Sequence, residues 1–224
     1  MIPDGGVAVL LARTTQLRPD HLALLDAAEL GRRREYQHDP DRDRFTAGAA
    51  LLRVAVAAAT GCAARAVTVR RDCARCYRPH GRPVLPGTDL HASISHSGEV
   101  VAVALTRLGP VGVDVEAEVA IDHEALHPQL LGPGEQVGDL AEFYRTWTRK
   151  EAVLKATGDG LRVPMAALPV AAPSQPPRLH AYPGRPELVV TMADLPVDDG
   201  YCAALAVLAG PPAPVRLTRA VDLL

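Results

Sequence analysis

Aromatic residues are scarce in this 224-residue chain: two Phe, one Trp and five Tyr, 4% in all. Its core must therefore be assembled from the abundant Ala, Val and Leu. No charge of one sign predominates either, since 24 Lys and Arg stand against 26 Asp and Glu, a net charge of −2. That excludes the bulk basic field on which non-specific nucleic-acid binding relies, so an anionic ligand has to be met by local clusters. No stretch approaches the roughly 18 apolar residues of a membrane span. The opening MIPDGGVAVLLAR has no basic segment followed by a long apolar one, and its apolar run is of strand length. A cytoplasmic protein with no membrane and no nucleic-acid partner is expected. Cysteine is limited to Cys62, Cys73, Cys76 and Cys202, which fit that compartment as free thiols. Cys73 and Cys76 form a C-x-x-C with His80 nearby, but a zinc site needs a fourth ligand at a recognisable spacing, so reduced thiols at a turn are expected. Absent too are G-x-x-x-x-G-K-[ST] and a G-x-G-x-x-G following a strand, which removes P-loop kinases and ATPases.

What is present suits one large domain or two small ones, with 48% of residues apolar. Val7 to Ala12 reads as a strand, and a helical pattern from Pro19 through Leu30 ends in the basic run Arg32, Arg33, Arg34. A second helix spans about Asp41 to Thr60, with Gly61 as its stop. Arg44 stands in its first turn, where a cation is mildly disfavoured by the helix dipole, which suggests a ligand. Ala66 to Arg70 reads as a strand and Asp72 to Gly87 as a loop carrying HGRP at His80 to Pro83. Leu90 to Leu105 reads as two strands joined at Ser97 and Gly98, with Ser95 and His96 near the turn. Gly109 and Pro110 then divide the chain into an N-terminal α/β half, 1–108, and a C-terminal half, 109–224. In the second half a long helix is expected over Asp139 to Thr157, with strands at Arg178 to Ala181, Glu187 to Thr191 and Tyr201 to Leu208.

Two stretches carry chemistry. In VGVDVEAE, Val111 to Glu118, a period of two puts Asp114 and Glu116 on one face and Val113 and Val115 on the other. In FYRTWTRKEAVLK, Phe143 to Lys155, Glu151 and Lys155 lie four apart and share a helix face. Glu-to-Lys at that spacing is most often a surface ion pair, and the second acidic group is what lifts it above that reading. Asp114, Glu116 and Glu151 are hard oxygen ligands, suited to Mg²⁺ or Mn²⁺ far better than to zinc. Such a site serves phosphoryl or pyrophosphate chemistry, with Lys155 placing positive charge on a phosphate. Whether Glu151, Lys155 or water takes the proton from an attacking hydroxyl is left open, with Glu151 favoured. Arg32, Arg33, Arg44, Arg82 and His96 are cations able to meet the remote end of a phosphorylated nucleotide, and Gly81 and Pro83 let the backbone approach a flat base.

These residues also resemble a known family. ISHSGEVVAVAL at Ile94 to Leu105, VGVDVE at Val111 to Glu116 and WTRKEAVLKATGDGL at Trp147 to Leu161 look like the ordered motifs of the Sfp-type 4′-phosphopantetheinyl transferases, and HGRP resembles a further one. The resemblance implies an α+β, sandwich-like fold of two similar halves forming an intramolecular pseudo-dimer, hence a monomer. By the same resemblance, the phosphopantetheine arm of coenzyme A goes to a serine of an acyl or peptidyl carrier protein of polyketide or nonribosomal peptide assembly. Carried over by motif, Asp114, Glu116 and Glu151 are Mg²⁺ ligands, and Glu151 and Lys155 the catalytic pair. Arg44, Gly81, Arg82, Pro83, Ser95, His96 and Lys155 contact coenzyme A. The segment between Glu116 and Phe143, which in this family helps hold the carrier, is short. Two other classes compete: a Mg²⁺-dependent nuclease, which carries its E-x-K on a strand, and a non-catalytic carrier-binding module.

Overall fold

The computed structural model describes residues 2–72, 79–210 and 213–220; Cys73 and Cys76 lie outside them, as does the side chain of His80. The strands are β1 (Val7–Arg13), β2 (Arg70–Asp72), β3 (Pro79–Val84), β4 (His91–Ser97), β5 (Val100–Thr106), β6 (Val111–Ala117), β7 (Thr191–Asp194), β8 (Tyr201–Val207) and β9 (Val215–Arg219). The helices are α1 (Ala27–Glu35), α2 (Asp39–Thr60), the single turn α3 (His127–Leu130) and α4 (Leu140–Thr157). The architecture is α+β, as expected. The chain divides into two compact units, Met1–Arg107 with Pro214–Leu224, and Leu108–Ala213. The division by sequence had assigned everything after 108 to the second half, whereas the last strand belongs to the first unit.

In the first unit the described strands form one sheet in the order β2-β3-β4-β5-β1-β9. β1 pairs antiparallel with β5, Val7 opposite Thr106, and parallel with β9, Val7 opposite Val215. Helix α2 packs on one face, where Ala47, Leu51, Leu52 and Val56 meet Ala8, Leu10, Val101, Val103 and Leu105. Small side chains do the packing, as the shortage of aromatics requires. Gly61 closes α2 at φ 76°, a left-handed conformation that glycine adopts without a steric penalty. At the start of α1, Asp26 accepts from the Glu29 amide and Glu29 returns a bond to the Asp26 amide. Both carboxylates also receive the guanidinium of Arg53, only 2% exposed, which joins α1 to α2.

The second unit is a three-stranded sheet, β6-β8-β7, under one long helix. Val111 pairs with Val207 and Asp114 with Ala204. Helix α4 begins at Asp139, whose side chain accepts from Glu142 N at 2.8 Å, and ends at Gly158, φ 75°. Its Phe143, Ala152, Val153, Leu154 and Ala156 are buried with Ala204 and Ala206 of β8. No helix among the described residues is long and apolar enough to cross a membrane.

Some expected elements moved. The strand expected at 66–70 is confined to its last residue, where β2 begins; a 3-10 turn at Ala64–Ala66 precedes it, and HGRP falls on β3, not in a loop. The expected strands at 178–181 and 187–191 are absent apart from an isolated bridge, Val170 to Leu179, and the start of β7. Pro176, Pro177, Pro183 and Pro186 withhold the amide donors a ladder there needs. Strand β9, mostly exposed and weakly alternating in sequence, gave no signal and acquires its place by parallel pairing with residues about two hundred positions earlier.

Candidate active site

The site in the second unit begins with a glycine. Gly112, Asp114 and Glu116 share the face of β6 that meets α4, while Val111, Val113 and Val115 on the other face are fully buried. A Cβ on Gly112 would stand 1.9 Å from Ala152 O and 2.9 Å from Lys155 Cβ. Only the missing side chain lets the helix lie this close to the strand. That close approach brings the Lys155 ammonium to 2.6 Å from Asp114 Oδ1.

Asp114 is 2% exposed, so its charge is compensated by a lysine that remains about a third open to solvent. Glu151, one turn before Lys155, is half-buried. Burial first, and then the charge of Asp114, push the Glu151 carboxyl above the ordinary carboxylate range, while the Lys155 ammonium pulls it back. Two carboxylates and one ammonium are thus within electrostatic reach across β6 and α4. Glu116 sits further along. The strand advances about 6.6 Å from Asp114 to Glu116, antiparallel to the helix, and its charge is felt by Tyr144, two turns before Glu151. The described residues hold no group of three or more His, Cys, Asp or Glu side chains placed to share a metal ion. The three-carboxylate set expected from sequence is therefore a close Asp114 and Glu151 with Glu116 at the edge. Two neighbouring carboxylates still suit a hard dication, because Mg²⁺ commonly takes one or two carboxylates and fills its shell with water and substrate phosphate oxygens.

The same helix holds two cations that sequence reasoning passed over. Arg149 and Lys150 are 0% exposed. Arg149 grips Asp194 through Nε at 2.9 Å and a terminal nitrogen at 2.6 Å, and donates to the carbonyls of Ala171, Ala172 and Gln175. Lys150 donates to Leu130 O at 2.7 Å, to Met165 O at 3.2 Å and to Glu135. Burial pushes the Lys150 ammonium down, with Glu135 opposing it. A clue was available: Lys150 and Lys155 are the only lysines in the chain.

The first unit carries the remaining expected residues, and it does not gather them all. Ser95 and His96 are neighbours on β4 and therefore point to opposite faces; Ser95 is 6% exposed and His96 is exposed. His96 shares its face with Ile94, on the side of α2, where both line a small cavity with Arg32. Arg44 is bound to Asp41 one turn earlier and donates to Gly98 O at 3.0 Å, and so fastens the β4–β5 turn to α2. Arg33 donates to Thr46 Oγ1 at 2.9 Å. Arg82, on β3 between Gly81 and Pro83, is exposed and adds its charge to burial in lowering the pKa of His91 on the adjacent strand.

The model of the 4′-phosphopantetheinyl transferase superfamily matches residues 110–206, the stretch from β6 to β8. Across most of the chain, 84% of it, the sequence is 30% identical to the 4′-phosphopantetheinyl transferase HetI of Nostoc, 80% of which is covered. The chain belongs to the 4′-phosphopantetheinyl transferase superfamily. Membership puts it among enzymes of the transferase class. Other members of the superfamily align over less: a Bacillus subtilis 4′-phosphopantetheinyl transferase is 28% identical over 66% of this chain and 67% of its own length. A Synechocystis protein named for the same activity is 29% identical over 65% of this chain, and the match spans about three-fifths of that protein, 61%.

Proposed function

We propose that the protein transfers the 4′-phosphopantetheine arm of coenzyme A to a serine of an acyl or peptidyl carrier protein, as a monomer in the cytoplasm. The observation that carries this reading is the contact of Lys155 with Asp114 beside a Glu151 whose carboxyl is held above its usual range. A cation, a proton acceptor and a pair of hard oxygen ligands are what a serine attack on a pyrophosphate needs. Mg²⁺, or Mn²⁺ in its place, on Asp114 and Glu151, with Glu116 in support, would draw charge from the pyrophosphate when bound.

The serine hydroxyl attacks the β-phosphorus of coenzyme A. A new serine–phosphate ester forms, the bridging P–O bond breaks, and adenosine 3′,5′-bisphosphate leaves. Glu151 receives the serine proton, directly or through one water. Lys155 exchanges Asp114 for the leaving phosphate and balances its growing charge. The carriers of polyketide or nonribosomal peptide assembly are the proposed acceptors. The alternative of a Mg²⁺-dependent nuclease is disfavoured because Glu151 and Lys155 sit a helical turn apart and the chain has no basic field. Intact-mass analysis of an apo carrier incubated with this protein, coenzyme A and Mg²⁺ tests the proposal. A gain of one phosphopantetheine arm that EDTA abolishes is the expected result; no gain on any peptidyl or acyl carrier sinks it.

A further inference from the structure

Arg145 stands one turn before Arg149 on α4, and the two share a face of the helix. That face turns away from Glu151 and Lys155. Arg149 reaches Asp194 on β7, whereas Lys155 reaches Asp114 on β6, and these strands are the opposite edges of the sheet. The two arginines differ in company. All three nitrogens of the Arg149 guanidinium have acceptors. Arg145 is half-buried, donates once, to Pro173 O at 3.5 Å, and pairs with no carboxylate among the described residues. A bond of that length is at the outer limit of a hydrogen bond, so the guanidinium keeps nearly all of its donors for something else.

Arg145 opens onto a cavity of about 520 Å³ that lies within the second unit. Its size is ordinary for a small-molecule site. The apolar wall is made by Pro173, Pro176, Leu195, Pro196 and Val197. Proline has a fixed φ and no amide donor, so this wall is preorganised and asks for no hydrogen bond from a ligand. Asp194 also borders the space, but Arg149 holds both of its oxygens, at 2.9 and 2.6 Å. Cys202 borders it too, and donates its thiol proton to Glu118 at 3.0 Å. Burial, with that carboxylate, pushes the thiol up to about 12, so it brings no charge at neutral pH. What the cavity offers is thus the Arg145 cation beside a rigid apolar wall.

We propose that this flank of α4 binds an organic monocarboxylate, its carboxylate on Arg145 and its apolar body against the proline-lined wall. One guanidinium balances one negative charge, and its planar fork matches the two oxygens of a carboxylate. Such a ligand touches α4, the loop of Pro173 to Pro176 and the β7–β8 hairpin at once, so its binding stabilises the folded second unit. The site is separate from that of Asp114, Glu151 and Lys155 and does not rest on the transfer reading.

Isothermal titration calorimetry of the wild-type protein, Arg145→Gln and Val197→Trp provides the test, with octanoate as the probe and 1-octanol and octylamine as controls of equal chain length. Circular dichroism and urea unfolding establish that each variant is folded. The wild type should bind octanoate at least about tenfold more tightly than 1-octanol, the effect of a charge-assisted contact at a partly solvated site, and octylamine more weakly still. In Arg145→Gln the octanoate affinity should fall to within about threefold of that for 1-octanol, since only the shared apolar contact remains. Val197→Trp, whose indole occupies the cavity, should weaken octanoate and 1-octanol alike. Failure of the wild type to bind octanoate below its micelle-forming concentration overturns the proposal, as does equal binding of octanoate and 1-octanol, or a preference for octanoate that survives in Arg145→Gln. Octanoate bound equally by the wild type and a folded Val197→Trp overturns it too, because the ligand then sits elsewhere. No nucleotide or carrier enters the experiment, so its failure leaves the transfer reading untouched.

Discussion

Helix α4 carries two pairs of charged residues within seven positions, and their surroundings treat them in opposite ways. Arg149 and Lys150 are fully buried and saturated, by Asp194 and several carbonyls in one case and by Glu135 and two carbonyls in the other. Glu151 and Lys155, on the next face round, are half-open, and Lys155 donates to the Asp114 carboxylate. The difference separates two uses of charge. A cation with all its donors engaged fixes loops to a helix and has nothing left to offer a substrate. A carboxylate held above its usual range beside a solvent-reachable ammonium has chemistry in reserve. Arg53 and Arg71 repeat the contrast in the first unit, one saturated by two carboxylates, the other with a buried nitrogen that lacks a partner.

Breaking the saturated side should have the largest effect on stability. In Lys150→Met, the Glu135 carboxylate and the carbonyls of Leu130 and Met165 lose a buried donor, and we expect unfolding free energy to drop by about 3–5 kcal/mol. Urea denaturation measures it, and a variant as stable as wild type would place Lys150 outside the anchoring role. Added divalent cation should not restore it. Next is Gly112→Ala. Its methyl group meets Ala152 O at a distance no real contact shows, so α4 must move off β6, at a cost of about 1–3 kcal/mol. Carrier loading should fall further than that stability loss explains, because the displaced helix takes Lys155 away from Asp114. Normal loading in a folded Gly112→Ala protein would detach the close packing from the site.

Much of this was readable in the residues themselves, for physical reasons that differ from place to place. The period of two in VGVDVE and the four-residue step from Glu151 to Lys155 report faces directly, and the structure puts Asp114, Glu151 and Lys155 near one another as those periods require. Gly61 and Gly158 ended their helices because left-handed backbone favours glycine. What periodicity cannot carry is depth. Nothing in the spacing of Arg149 and Lys150 says that they are buried while Glu151 is not, since that depends on which loops pass over the helix. Nor does one-dimensional proximity survive in a strand: Ser95 and His96 looked like one feature and point to opposite faces. Arg71 went unnoticed because its isolation is a property of neighbours, Glu29 and Arg53, that lie in distant parts of the sequence.

Lys155→Met sharpens the contrast on the open side. Removing the ammonium takes from buried Asp114 the cation it shares with Glu151, a loss we put at about 1–3 kcal/mol because the lysine is partly screened by solvent. Here, unlike at Lys150, a divalent cation should help. Loss of the ammonium removes a competitor for Asp114, so Mg²⁺ should raise the midpoint of thermal unfolding of Lys155→Met by more than that of the wild type. An equal response of the two proteins to Mg²⁺ would remove Asp114 from the metal's ligands.

Glu151→Gln should have the smallest effect on stability, and it is opposite in sign. A carboxyl whose proton affinity is raised by folding binds its proton more tightly in the native state than in the unfolded one. The native protein is therefore penalised once the pH exceeds the ordinary carboxylate range, and stability falls as pH rises through the interval between the unfolded and the folded value. Glutamine carries no such charge. At neutral pH the variant should be slightly more stable than wild type, and the two should converge as the pH drops towards the usual range for glutamate. Carrier loading should meanwhile fall by about 10²–10⁴-fold, as for loss of a general base. A variant stabilised at pH 7 yet nearly inactive would mark Glu151 as a residue the fold tolerates for its chemistry. Retained turnover with saturating Mg²⁺ would take both the base and the ligand role from Glu151, and a loss of stability at pH 7 would show that the Asp114 charge is already compensated where Glu151 stands.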